Sequence, residues 1–178
     1  MQSYINRIVR AAKLDVNLYE EVESDKEATS QAMGVVVLAS IAAGIGSMGT
    51  TGAIGIVTGT AMALISWYAW AYIAYFVGVK ILPEQQTKAC PGELLRTIGF
   101  ASSPGLIRVL AVIPGIAGIV FLVTSIWMLI TMIIAVRQAL DYRSTLRAVS
   151  VCIIGGIIQA TIIILLFSVL GVDYSTHV

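Results

Sequence analysis

The sequence predicts an all-α integral membrane protein with five transmembrane helices, preceded by an N-terminal amphipathic surface helix. Three observations carry this expectation: the apolar surplus, the length of the apolar runs, and the placement of the basic residues. Of 178 residues, 58% are hydrophobic and 12% are charged, against about 45–50% and 25% in an ordinary soluble domain. A soluble globule of this size keeps much of its surface in water, so an apolar surplus this large requires lipid as the solvent. Several apolar runs reach the 20 or so residues that a helix needs to cross a hydrocarbon core about 30 Å thick.

Residues 1–30 read as a cytoplasmic segment. Within residues 1–20, Ile5, Ile8, Val9 and Ala12 recur at i, i+3, i+4, i+7 with Arg7, Arg10 and Lys13 beside them. That pattern predicts a short amphipathic helix lying on the membrane, its three basic residues in contact with anionic lipid. Residues 20–29, EEVESDKEAT, read as a polar acidic linker suited to the N-terminal end of the next helix. The five-span domain covers 31–170, with spans over 31–49, 53–81, 94–113, 116–136 and 148–170, and a polar tail closes the chain at 171–178. The glycine- and threonine-rich 49–52 and the IPG at 113–115 read as tight turns. In the third span Pro104, behind Ser102 and Ser103, should kink or break the helix.

Basic residues next to membrane spans are retained on the cytoplasmic side. Of the 11 Lys and Arg residues, all but Arg108 fall in the N-terminal segment, in the loops after spans two and four, or, as Lys80 and Arg96 do, at the span ends that border the first of those loops. An odd number of spans follows, with the N-terminus in the cytoplasm and the C-terminus on the far side.

Arg108 is the one basic residue inside a span and away from the ends that border the basic loops, and an intramembrane charge is by default a candidate functional site. Ser102, Ser103 and, across the far-side boundary, Asp173 complete a candidate intramembrane polar site, with an Arg108 to Asp173 pair expected. Gly55, Gly59 and Ala63 form a small-residue stripe on the second span that lets a helix approach closely. Trp67 and Trp70 lie deeper than an interfacial aromatic belt. Their indoles then need polar partners such as Ser66, Ser102 or Ser103.

Other chemistries find little support. No Asp or Glu lies within a predicted span, and the one histidine, His177, is far from Ser102 and Ser103, so neither a carboxylate pair nor a serine nucleophile with its base is predicted. Cys90 and Cys152 have no metal-ligand spacing, and no phosphate loop, cofactor motif or nucleic-acid-binding basic face is present. The expectation is a non-enzyme without cofactor. Its partners are expected to be membrane lipids and other membrane proteins or further copies of itself, and the alternative is a small transporter or channel.

Three stretches, LDVNLYEEVESDKEAT, GELLRTIGFASSPGLI and WMLITMIIAVRQALDYRSTLRAV, occur in this order along the chain. Together they resemble the bacterial branch of the Yip domain family, five-span proteins named for binding Ypt/Rab GTPases. The resemblance implies a cytoplasmic N-terminal segment, five helices, a short far-side tail and no catalytic activity, in a bacterial cytoplasmic membrane. It also implies a candidate partner-binding motif at Asp15, Leu18 and Tyr19. Where the family usually places glycine and proline after that tyrosine, this chain has Glu20 and Glu21.

Overall fold

The computed structural model describes residues 3–169, and the described chain is helical throughout its secondary structure. Seven α-helices follow in order: α1 (Tyr4–Ala12), α2 (Val16–Ser24), α3 (Ala28–Gly46), α4 (Met48–Phe76), α5 (Pro91–Ala101), α6 (Ala117–Ala139) and α7 (Thr145–Val169). A π-helical turn, Val77–Ile81, prolongs α4, and a 3₁₀ segment, Ser103–Val112, prolongs α5.

Four stretches are long and apolar enough to cross a membrane: Ala28–Gly46, Gly52–Ile81, Ala117–Ala139 and Thr145–Leu166. At 1.5 Å per residue they are roughly 28, 45, 34 and 33 Å long, against a hydrocarbon core of about 30 Å. Their outward faces carry Ile54, Ile65, Ile119, Leu122, Ile157 and Ile164, all exposed. The third predicted span has a different build. α5 stops at Ala101, and Pro104, which has no N–H and restricts the backbone before it, opens the 3₁₀ segment. The two pieces add up to roughly 36 Å, at 1.5 and 2.0 Å per residue.

The turns fall where glycine permits them. Gly52 adopts φ +64°, ψ −174° and separates α3 from the apolar length of α4, and Gly115, at φ +87°, turns the chain into α6. Two ends of the bundle result. The turn end carries Gly52 and Gly115, and the loop end carries residues 82–90 and 140–144.

Residues 1–30 depart from the sequence reading. The single amphipathic helix expected over 1–20 breaks at Leu14, which sits in the left-handed region at φ +64°. Asp15 then starts a second helix, its side chain accepting from the backbone N–H of Asn17 at 3.1 Å. Half of the expected linker is therefore helix α2. The physical reason is tertiary: Leu18, Tyr19 and Val22 are fully buried, against α5 and α6.

Candidate functional site

The α1–α2 hairpin docks with its charges turned inward. Arg7, only 9% exposed, donates from Nε to Glu21 Oε1 at 3.0 Å and from one terminal nitrogen to Asp25 Oδ2 at 2.9 Å. Its other terminal nitrogen donates to Gln31 Oε1 at 2.9 Å. Arg10 pairs with Asp15 at 2.6 Å and Glu21 at 2.7 Å. The hydrogen bonds from these arginines hold the Asp15 and Asp25 carboxyls below their usual range. Lys13 is exposed. On the opposite side of the hairpin Ile5, Val9 and Val16 face outward, 69%, 44% and 41% exposed. The basic residues expected to meet lipid thus include two that spend their charge on carboxylates of the same chain.

The candidate motif Asp15, Leu18, Tyr19 is structural in this arrangement. Asp15 caps α2, Leu18 is buried, and the buried Tyr19 hydroxyl donates to Ala11 O at 3.3 Å. Burial raises that phenol's pKa. The hairpin runs beside α6 from its middle to its loop end, where Trp127 Nε1 donates to Ala12 O at 2.8 Å and Gln138 Nε2 to Glu20 Oε1 at 2.9 Å.

Arg96 secures the far end of α2. Its buried guanidinium donates from Nε to Val22 O at 2.9 Å and to Glu23 O at 3.1 Å, and a terminal nitrogen also donates to Glu23 O. These are last-turn carbonyls with no intrahelical partner, at the negative end of the helix dipole. The Glu23 carboxyl itself is pushed up to about 7, by burial first and then by Asp141, Glu93 and Glu20 around it.

The loops at this end interlock. Tyr142 Oη donates toward Gly78 O at 2.9 Å and Leu82 O at 2.7 Å, satisfying carbonyls at the π-helical end of α4, and burial pushes its phenol up to about 12. Glu84 accepts from the backbone N–H of Arg143 at 3.1 Å and Ser144 at 3.4 Å, while Gln86 Nε2 donates to Asp141 O at 3.0 Å. Between α2 and the 140–144 loop lies a polar groove of about 450 Å³ lined by Glu20, Glu23, Arg137 and Arg143. The sequence showed these charges as loop residues but had no signal for the groove.

The third predicted span runs antiparallel along α6. Ala101 O accepts from Thr131 Oγ1 at 2.7 Å, Gly105 lies against Met128, and Arg108 Nε donates to Thr124 Oγ1 at 3.1 Å. Along its length the 3₁₀ segment also contacts α3, and Gly46 meets the Arg108 carbonyl so closely that a β-carbon would collide with it.

Arg108 lines a cavity of about 630 Å³ between α3, α4, α5, the 3₁₀ segment, α6 and α7. A second terminal contact joins its guanidinium to Ser125 Oγ at 2.9 Å, and Phe121 presents its ring 5.4 Å away. Among the described residues no carboxylate pairs with it, and the expected partner Asp173 lies outside the described residues. Ser102 lines the cavity, whereas Ser103 is buried and donates to Phe100 O at 2.6 Å. Gly55, Gly59 and Ala63 form one wall. The two deep indoles line the same cavity but find other partners than the serines expected: Trp67 donates to Leu95 O at 3.1 Å and Trp70 to the Met132 sulfur at 3.2 Å. Among the described residues no group of His, Cys, Asp and Glu could hold a metal ion. Compared with family models, curated proteins and solved structures, the chain finds no match in any of the three.

Proposed function

We propose that the chain is a non-enzymatic membrane scaffold or adaptor, Yip-domain-like, that crosses a bacterial cytoplasmic membrane five times. Its N-terminus and loop end face the cytoplasm, and its C-terminus lies on the far side. Four apolar helices supply four crossings. The fifth is the α5–3₁₀ segment, and its antiparallel course along α6 from Thr131 to Thr124 supports that count. The hairpin contacts Trp127, roughly 18 Å along α6 from its loop-end terminus. With its arginines neutralised inside and Ile5, Val9 and Val16 outside, it suits a position in the inner leaflet, as an amphipathic helix with its apolar face in lipid.

The observation that carries the scaffold reading is the loop end itself. The 82–90 and 140–144 loops are tied together through Glu84, Gln86 and Tyr142, and α2 is held beside them by Arg96 of α5 and Gln138 of α6, which makes one polar face. A pre-organised face loses little entropy on docking a partner, which could be another membrane protein or a further copy of the chain. The transporter reading needs a hydrated path, and the cavity near Arg108 is instead mostly apolar, with Ser40, Ser47, Ser66, Ser102 and Gln159 as the polar side chains that line it beside the arginine.

A photoreactive side chain at Glu20 or Arg143, illuminated in intact membranes, tests the scaffold. One discrete cross-linked product, shared by both positions and lost when the probe is moved to Ile164 on the apolar belt, is expected. A chain that cross-links to nothing and purifies alone would remove the reading. For the fifth crossing, a cysteine at Gly115 in a Cys90→Ser background should react only with impermeant reagent added from the far side.

A further inference from the structure

We propose that the cavity beside Arg108 binds a single anionic phospholipid, with the phosphate at the guanidinium and one acyl chain laid along α4 toward Trp67 and Trp70. The inference rests on the membrane-embedded reading above and goes beyond it by assigning a site and a ligand class.

Charge comes first. Arg108 is held by two neutral hydroxyls and one ring face, so among the described residues its positive charge is oriented without being neutralised. A guanidinium has five N–H donors. Thr124 and Ser125 fix its plane and leave donors for the oxygens of a phosphate, which arginine binds in bidentate fashion. An arginine this close to lipid is costly without a counter-charge, and a phospholipid headgroup supplies one from the bilayer itself.

Shape follows. The cavity of about 630 Å³ falls within the roughly 300–1,000 Å³ of small-molecule sites. Its wall on α4 extends from Gly55 to Trp70, roughly 22 Å at 1.5 Å per residue. One leaflet contributes about 15 Å of hydrocarbon, so the trench can take an acyl chain over its whole length. The small residues leave that room open: a β-carbon built on Gly59 meets nothing within 4 Å. At the deep end both indole N–H groups are engaged elsewhere, so Trp67 and Trp70 present apolar surface to the trench. An apolar helix of another copy would fill such a groove but would leave Arg108 facing hydrocarbon, which is why lipid is the better occupant.

The test uses the full chain in phosphatidylcholine bilayers, with quenching of tryptophan fluorescence by lipids carrying bromine on the acyl chain. A Trp127→Phe background confines the signal to the cavity tryptophans. At the same small mole fraction, brominated phosphatidylglycerol should quench several-fold more than brominated phosphatidylcholine. The excess should vanish in Arg108→Gln, persist in Arg108→Lys, and vanish in Gly59→Leu, which projects into the trench from a β-carbon position with nothing within 4 Å. Circular dichroism and gel filtration establish that each variant is folded. Equal quenching by the two lipids, or an excess that survives Arg108→Gln, overturns the proposal. Relief of quenching by inorganic phosphate would assign the cation to free anions and overturn it as well. Failure of the membrane reading would look different, since a bilayer made wholly of brominated phosphatidylcholine would then leave the tryptophans unquenched.

Discussion

Replacing Arg7 by methionine, which keeps the length of the side chain and removes its charge, should loosen the hairpin from the bundle. Arg7 of α1 joins Glu21 of α2, Asp25 at the end of α2 and Gln31 of α3, so one guanidinium ties three helices together. Breaking a fully buried pair by deleting one partner costs about 3–5 kcal/mol. Here the carboxylates retain 30% and 32% exposure. Glu21 also keeps Arg10 at 2.7 Å, and Asp25 keeps the backbone N–H of Glu27 at 3.0 Å. Water and these remaining partners reduce the loss to about 2 kcal/mol. That corresponds to roughly a 30-fold rise in local opening, visible as faster hydrogen exchange of the α1 and α2 amides at constant pH, with α6 and α7 unchanged. A less than threefold change in α1, or an equal change in α7, would refute the assignment of Arg7 as the hairpin's tie. The same network sets an acid limit. Hydrogen bonding from Arg7 depresses Asp25 below its ordinary 3.8, so this contribution is present above that pH and is lost as pH falls through the depressed value.

Glu23 titrates in the opposite sense. Its carboxyl moves from an ordinary 4.5 to about 7 in the folded chain, so its favourable contribution is present below pH 4.5 and is lost as pH rises through 7. The full difference is worth about 3 kcal/mol at 1.36 kcal/mol per pH unit, and partial exposure screens it to about 1–2 kcal/mol. Glu23→Gln should therefore raise thermal stability at pH 8 and leave it nearly unchanged at pH 4, with equal effects at both pH values counting against the argument. Arg96→Met leaves the Val22 and Glu23 carbonyls without their donor, at about 2–3 kcal/mol, and tryptic cleavage at exposed Lys26 should accelerate; Arg96→Lys should rescue only in part, because an ammonium cannot span two carbonyls as the planar fork does. Tyr142→Phe removes the hydroxyl that serves Gly78 and Leu82, at about 1–2 kcal/mol. Faster exchange confined to residues 77–89 is the expected signature.

The long apolar helices, the break at Pro104 and the reversals at Gly52 and Gly115 were legible in the sequence, because each depends on local chemistry: transfer of apolar side chains to lipid, a missing N–H, a glycine at positive φ. Helix α2 was half legible. Asp15 is a good N-cap, but the acidic run behind it reads as a linker until Leu18, Tyr19 and Val22 find α5 and α6 to bury against. Arg108 stood out as an intramembrane charge, whereas the hydroxyls that orient it come from positions 16 and 17 residues further along the chain, and no periodicity announces them.

What the sequence by itself determined is the solvent and the segmentation, since these follow from composition and from residues acting within a few positions of one another. What only the tertiary structure decided is direction: which way the arginines of α1 point, which carbonyls Arg96 serves, and whether Gly55, Gly59 and Ala63 face a helix or a cavity. The physical reason is that an ion pair or a cavity wall depends on residues brought together from distant parts of the chain. Arg7 and Arg10 read as a lipid-facing basic stripe until Glu21 and Asp25 are placed beside them, and the face then left outward is the apolar one of Ile5, Val9 and Val16.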